Sequence, residues 1–316
     1  MSDRLGVLLM TYGSPTDSAD VDRYLRAVRG GREPDPELLA EFRRRYEVIG
    51  GSPLIPLTMR QAAGLEAALG DGTRVLAAMR FSEPSIATAL AALAAEGIRQ
   101  VVGIILSPQY SPLLMGGYAR DVAAARAALG ELAPDVTVAG QWYQQPELIA
   151  ALAGRIRATL ATFPIEEQAT APVLLTAHSL PLRVATQEPD YLAQLEETAV
   201  AVAEAAGIER SRWTFCWQSA GHEPGEWMQP DFADLMPGLA ASGHRSVVVA
   251  PVQFLSDHLE TLYDVDIGAR EQAEEHGLRF VRIAALNDDP GLMTALARVV
   301  RRTAVEAPQP EPVGSA

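Results

Sequence analysis

Three things are scarce in this chain: cysteine, lysine and long apolar runs. The one cysteine, Cys216, cannot close an internal disulfide or supply a cysteine-ligated iron–sulfur cluster by itself. It lies in the apolar run 213–217, so we expect a buried, inert thiol. Lysine is absent, and every basic side chain other than histidine is therefore arginine. No apolar stretch reaches about 18 residues, which argues against an integral membrane protein.

Charge and composition narrow the class of protein further. The formal net charge of −14 disfavours nucleic acid as a partner, because phosphate binding needs clustered positive charge. Hydrophobic residues make up 48% of the chain, enough to bury a sizeable core. The first residues run into a strand-like segment without a signal-peptide pattern, so we expect a cytoplasmic protein.

Short aliphatic runs alternate with stretches of helical period. The runs predict strands at 5–11, 73–80, 100–107, 136–142, 172–178, 212–218, 245–252 and 279–284. The stretches between them predict helices such as 83–96, 117–129, 146–162, 190–206 and 290–305. This alternation predicts an α/β fold of two similar Rossmann-like halves, each a four-stranded parallel sheet flanked by helices. We place the halves at 1–150 and 151–306, followed by a disordered tail at 307–316.

An internal echo supports the two halves. Residues 7–15 and 173–181 are identical at four of nine positions, and each run would be the first strand of its half. A second echo pairs 101–108 with 247–254. The alternative is that buried strands resemble one another in any α/β protein, but we favour two halves that face a shared cleft.

Ligands of open α/β sheets bind beyond the carboxyl ends of the strands. This rule selects Tyr12, 79–80 and 107–110 in the first half, and His178, 218–219 and 254–260 in the second. In a helix, Glu260 and Asp264 would share a face. Several carboxylates beside an imidazole suit a borderline divalent metal such as Fe²⁺, Co²⁺ or Zn²⁺. The alternative is a solvated helix start, where acidic residues favour the helix dipole.

Several common catalytic motifs are missing. The sequence has no His-Glu-x-x-His zinc motif, no dinucleotide or P-loop glycine pattern, and no Gly-x-Ser-x-Gly elbow. Phosphate, hydride and acyl transfer therefore have little support.

The motifs resemble those of the ferrochelatase family over nearly the whole chain. The stretches that carry the resemblance are 9–15 (LMTYGSP), 29–32 (RGGR) with 45–54 (RYEVIGGSPL), 108–111 (PQYS), 177–181 (AHSLP), 217–221 (WQSAG) with Pro224 and Trp227, and 256–264 (SDHLETLYD). Six blocks in family order are specific, although each alone is weak. The resemblance implies a class II chelatase fold and insertion of Fe²⁺, as a substrate, into a porphyrin of haem biosynthesis.

The resemblance also implies roles for particular residues. It makes His178 and Glu260 the catalytic pair, and it makes both of them metal ligands together with Asp264. Porphyrin-binding residues implied in the same way are Tyr12, Arg29, Arg45, Tyr46, Ser52, Tyr118 and Trp227. A neutral imidazole suits proton acceptance from a pyrrole, and a guanidinium pairs bidentately with a propionate.

Two features resemble the coproporphyrin III branch: the block at 217–224 and Tyr118. There are also departures from that branch. One residue fewer precedes Ser52, and Gly268 stands where an acidic residue is expected, which weakens the case for an outer metal site.

Three alternatives stay open at this point. They are a protoporphyrin IX ferrochelatase, another class II tetrapyrrole chelatase for cobalt or nickel, and a non-catalytic tetrapyrrole carrier. We expect a monomer without a bound iron–sulfur cluster, with a transient partner among the enzymes of the haem pathway.

Overall fold

The computed structural model describes residues 4–221 and 225–306. The predicted tail at 307–316 and Pro224 of the 217–224 block lie outside these described residues. Within them, eight strands form two separate four-stranded sheets in which all neighbouring strands are parallel.

The first sheet has the strand order β2-β1-β3-β4. Its strands are β1 (Leu5–Thr11), β2 (Thr73–Met79), β3 (Gln100–Ile105) and β4 (Asp135–Val138). The second sheet has the order β6-β5-β7-β8. Its strands are β5 (Val173–His178), β6 (Trp213–Gln218), β7 (Ser246–Pro251) and β8 (Arg279–Arg282). The two orders are the same, which confirms the predicted pair of similar halves.

The two sequence echoes fall on equivalent strands. β1 and β5 both lie between two neighbours in their sheets, and β3 and β7 are the neighbours that lie towards the β4 and β8 edges. β1 and β7 are buried almost throughout, which explains why their sequences are aliphatic and lack a polar–apolar alternation. The resemblance between the runs therefore reflects a repeated position in the fold.

Helices flank both sheets. Those of the first half are α1 (Val21–Val28), α2 (Pro36–Val48), α3 (Leu54–Leu69), α4 (Ile86–Ala95), α5 (Pro112–Leu129) and α6 (Pro146–Leu160). Those that follow are α7 (Ile165–Gln168), α8 (Leu182–Ala185), α9 (Pro189–Ala206), α10 (Phe232–Ala241), α11 (Arg270–Glu275) and α12 (Pro290–Glu306). A π-helix spans Glu260–Ala269 and runs directly into α11.

Local sequence sets where several helices begin. Ser111 precedes α5, and its hydroxyl accepts a hydrogen bond from the amide of Leu114, while Pro112 occupies the first helical position. Before α10, Asp231 and Asp234 form a reciprocal capping box. These caps satisfy amide groups that have no partner inside the helix.

Several predicted strands are longer than the observed ones, and the largest difference is at β4. β4 ends at Val138, whereas the apolar run suggested a strand to residue 142. Ala139 and Trp142 are buried, but the amide of Trp142 donates to Pro108 and its indole nitrogen donates to Ile105. The run is apolar because Ala139 and Trp142 pack in the core, not because it continues the strand.

The halves share one core. A single apolar cluster contains Leu9 of β1, Leu175 of β5 and Leu296 of α12. α12 packs against α3, α6, β3 and β4, so the last helix of the chain covers the first sheet. The boundary proposed at residue 150 falls inside α6, which packs against both α9 and α12. The division at 150 stays a prediction.

Candidate active site

An open cavity lies between the carboxyl ends of the two sheets. Its walls come from both halves: Met10, Thr11, Tyr12, Leu54, Ile105, Leu106, Ser107 and Tyr118 on one side, and Gln253, Phe254, Leu255, Ser256 and His258 on the other. The position of the cavity follows the rule for open α/β sheets.

His178 ends β5 and is held by its neighbours at both the backbone and the ring. Its amide donates to Oε1 of Gln253, whose Nε2 donates to the hydroxyl of Tyr191. Its ring Nδ1 contacts the carbonyl oxygen of Ser179. A carbonyl can only accept, so Nδ1 carries the proton and Nε2 of the neutral ring keeps its lone pair.

Two imidazoles face the same carboxylate oxygen. Nε2 of His178 lies 3.8 Å from Oε2 of Glu260, and Nε2 of His258 lies 3.6 Å from it. Nδ1 of His258 is 2.9 Å from the carbonyl oxygen of Ser256, so this ring also presents Nε2 to Glu260. Three lone-pair donors therefore converge at the start of the π-helix, an arrangement that attracts protons or a cation.

The charges of this group are coupled. Burial alone would raise the pKa of Glu260, but His178 and His258 outweigh it and lower the pKa to about 2. Burial alone would lower the pKa of His258, but the Glu260 carboxylate raises it above its usual value. Glu260 is therefore an anion over the physiological range, and it stabilises a positive charge beside it.

Asp264 lies on the π-helix after Glu260 and is partly buried. Burial raises the pKa of its carboxyl, the hydroxyl of Ser219 opposes this through a hydrogen bond, and Glu260 raises it further. Oδ1 of Asp264 is 3.5 Å from Nη1 of Arg45, whose Nε donates to Glu41 at 2.8 Å. Asp264 thus lies between the Glu260 group and the guanidinium of α2.

Arg282 of β8 also anchors the segment around Glu260 through ion pairs. Arg282 at the end of β8 has its side chain only 11% exposed and lies 3.0 Å from Asp257 and 2.7 Å from Asp266. These two carboxylates lie on either side of Glu260 in the chain. Asn287 adds a reciprocal pair: the Asp257 amide donates to its side chain, and its side-chain nitrogen donates back to the Asp257 carboxylate.

The predicted porphyrin-binding residues fall into two groups. Tyr12, which is 42% exposed, and the buried Tyr118 line the cavity. Tyr46 is buried in a small cluster with residues of α1 and with Leu259. Burial raises the pKa of its phenol, and the charge of Glu260 raises it further.

Tyr46 does not line the cavity, and neither do the other four predicted residues, Arg29, Arg45, Ser52 and Trp227. Arg29 follows α1 and has a buried Nε without a hydrogen-bond partner in the described part of the chain. Ser52 accepts from the amide of Leu54 at the start of α3. Trp227 forms an isolated antiparallel β-bridge with Pro181, and its ring packs over Gly221.

Two residues of this region were selected by the strand-end rule but received no role among the predicted site residues. His258 lies in the selected range 254–260, two positions before Glu260. Arg80 lies in the selected range 79–80 and its guanidinium lies near the ring of Tyr12, but the rule does not say what the side chain contacts. Cys216 is buried, as predicted, and burial raises the pKa of its thiol.

A sequence model of the ferrochelatase family matches residues 4–304. The chain belongs to the ferrochelatase family. Membership makes it a metal chelatase of haem biosynthesis. It is 37% identical over 302 residues to the coproporphyrin III ferrochelatase of Geobacillus kaustophilus, an alignment that covers 93% of this chain and 94% of that protein. It is also 37% identical over 306 residues to the ferrochelatase of Deinococcus radiodurans, covering 96% of each.

Solved structures support the fold. SirB from Bacillus subtilis with Fe³⁺ superposes with a TM-score of 0.60 at 13% identity, covering 96% of both chains. CbiX, the terminal enzyme of siroheme biosynthesis in denitrifying bacteria, has a TM-score of 0.57 at 15% identity and covers 95% of this chain and 98% of its own. At these identities the likeness shows the class II chelatase fold alone. Within residues 4–221 and 225–306, no helix is long and apolar enough to span a membrane.

Proposed function

We propose that this member of the ferrochelatase family inserts Fe²⁺ into coproporphyrin III, releasing two protons and forming coproheme. The observation that carries the proposal is the convergence of His178 and His258 on Glu260. Of these three residues, His258 lines the cavity, and Tyr12 lines it from the other half. The metal and the porphyrin are both substrates. We place the reaction in the cytoplasm and expect a monomer that meets other haem-pathway enzymes transiently.

His178 is the proposed base and metal-facing ligand. Its Nδ1 is committed to the Ser179 carbonyl, so Nε2 is free to accept a pyrrole proton or to bind the metal. Glu260 is the proposed second ligand and proton relay. In a tetrahedral site, two ligand atoms about 2.1 Å from a metal are about 3.4 Å apart, close to the 3.8 Å between these groups.

Asp264 is the proposed third ligand, four residues after Glu260 on the π-helix. Within the described residues, no group of three or more His, Cys, Asp or Glu side chains is arranged so that it could hold a metal ion. A substrate ion differs from a structural one, because it must leave its ligands for the four pyrrole nitrogens. A loose set of donors suits that transfer better than a closed cage.

Arg29 and Arg45 are the proposed propionate anchors. The unpartnered Nε of Arg29 is a donor without an acceptor, and a carboxylate from the porphyrin would satisfy it. Tyr46, Ser52, Tyr118 and Trp227 are proposed as further contacts of the ring or its propionates. Preference for coproporphyrin III rests on relatives that carry that name, including those of Geobacillus kaustophilus and Bacillus subtilis.

A stopped-flow experiment tests the proposal. Protein, Fe²⁺ and coproporphyrin III are mixed without oxygen, and metalloporphyrin absorbance is followed with and without protoporphyrin IX as a competing substrate. We expect multiple turnovers with coproporphyrin III and slower turnover of protoporphyrin IX. The His178→Ala variant should bind porphyrin and lose insertion, because it lacks the base.

Two results would reject parts of the proposal. Stoichiometric porphyrin binding without turnover in the wild-type protein would favour a carrier. Full turnover by His178→Ala would show that His178 is not the base.

Insertion activity should also decline as the pH falls, because metal binding requires the unprotonated imidazole.

A further inference from the structure

Arg80 lies behind the aromatic wall of the cavity. It follows β2, and its amide donates to the carbonyl oxygen of Thr11 at 3.0 Å, which fixes its backbone beside Tyr12. Its side chain is 14% exposed, and Nε donates to Asp121 of α5 at 2.8 Å. Among the described residues, no acceptor takes a hydrogen bond from its two terminal nitrogens. The guanidinium is therefore held by its ion pair with Asp121 and by contacts with aromatic rings.

Three aromatic rings surround this guanidinium. Its central carbon lies 4.6 Å from the ring centre of Phe81, 5.1 Å from that of Tyr118 and 6.0 Å from that of Tyr12. The rings of Tyr12 and Phe81 meet edge to face at 4.6 Å. Cation–π contacts of this kind are attractive and strengthen when water is excluded. Because Tyr12 and Tyr118 line the cavity, one cation links two residues of its wall.

Gly117 makes room for Arg80. A Cβ placed on Gly117 would lie 2.2 Å from the central carbon of the guanidinium, far inside any allowed contact. Glycine is a poor helix former, yet Gly117 stands inside α5. Its neighbour Gly116 differs, since a Cβ there would meet only the end of the Arg120 side chain at 3.4 Å. The unfavourable residue at position 117 thus has a packing reason that position 116 lacks.

We propose that Arg80, seated against Gly117, is a positioning residue that fixes the rings of Tyr12 and Tyr118 as a rigid wall for the flat porphyrin. The assignment rests on the proposed function for the identity of the ligand, but the ring geometry itself does not. Arg80 acts through the two tyrosines and does not line the cavity. The positive charge also acts on Tyr12 directly: burial raises the pKa of the Tyr12 phenol, and Arg80 opposes that rise.

The test compares two adjacent substitutions, Gly117→Ala and Gly116→Ala, which add the same methyl group to the same helix. Gly117→Ala should displace the guanidinium and raise the Kd for coproporphyrin III about tenfold, a loss typical of one aromatic contact. The KM for Fe²⁺ should stay unchanged, because the metal-facing group lies on the other half. Gly116→Ala should match the wild-type protein in both. Equal Kd values for the two variants would overturn the proposal.

Variants of Arg80 guard against a folding defect. Arg80→Leu should weaken porphyrin binding in the same way, and Arg80→Lys should restore part of it, since it keeps the cation but loses the planar stack. The double variant Arg80→Ala with Gly117→Ala should bind like Arg80→Ala alone, because the methyl group then has nothing to displace. Weaker binding by the double variant than by Arg80→Ala alone would contradict the proposed contact, and this comparison is available even where Gly117→Ala alone does not fold.

A measurement without porphyrin separates this inference from the proposed function. In protein with ¹³C-labelled tyrosine, Gly117→Ala and Arg80→Leu should shift the ring signals of Tyr12 and Tyr118, and Gly116→Ala should not. Unchanged tyrosine signals would reject the positioning role even if the wild-type protein is an active chelatase. Shifted signals in a protein without chelatase activity would support the role and reject only the porphyrin assignment.

Discussion

At the scale of single residues, the most informative feature is the direction of the two imidazole rings. Both His178 and His258 use Nδ1 for a backbone carbonyl, and both turn Nε2 to Glu260. The strand-end rule predicted Tyr12, His178 and Glu260 as neighbours of one cleft, and the family resemblance added Tyr118. It did not predict ring direction, because that depends on carbonyl groups whose positions are set by the fold.

The coupling between Glu260 and His258 leads to a prediction. In Glu260→Gln, the pKa of His258 should fall, because the carboxylate that raises it is gone and burial, which lowers it, remains. The measurement is an NMR titration of the histidine ring nitrogens in metal-free protein. His244, which does not line the cavity, serves as an internal control, and its ring signals should be the same in both proteins. An unchanged pKa for His258 would mean that Glu260 does not control its charge.

At the scale of elements, the segment after β7 differs from a simple helix. From the sequence we considered 256–264 as a helix, whereas the structure has a π-helix at Glu260–Ala269. π-Helices are rare and occur frequently at functional sites. The composition of the segment does not distinguish the two forms. Tertiary anchors accompany the π form here, among them the ion pairs of Arg282 with Asp257 and Asp266, and these come from a strand that lies later in the chain.

Arg282 is therefore expected to hold this element in place. Arg282→Gln should lower the free energy of unfolding by about 3 kcal/mol, because it leaves two partly buried carboxylates without their cation. Insertion of Fe²⁺ should also slow, since Glu260 lies between the two anchored positions. Urea unfolding and steady-state rates measure the two effects.

A matched control exists on the same strand. Arg279 is exposed and stacks on Phe163, with its guanidinium 4.5 Å from the ring centre. Arg279→Gln should change the free energy of unfolding by about 0.5 kcal/mol or less, as expected for a surface position. If Arg282→Gln is no less stable than Arg279→Gln, the anchoring role is wrong.

At the scale of the whole molecule, the sequence predicted two repeated halves but not how they are joined. The echo between 7–15 and 173–181 revealed the repeat, because equivalent buried strands keep similar side chains. The joining depends on α12, which belongs to the second half in sequence and packs on α3 and β3 of the first. An amphipathic helix shows that one face is buried, but its sequence does not say which sheet it covers.

This packing predicts that the halves unfold together. Leu296 is fully buried in the shared core, so Leu296→Ala should lower the free energy of unfolding by about 3 kcal/mol. Hydrogen exchange should show amide protection falling equally in β1 and β5, because both strands contact the same apolar cluster. Val305→Ala, at an 84% exposed position of the same helix, is the control and should change little. Loss of protection in β5 alone would instead mean that each half has an independent core and that α12 belongs energetically to the second.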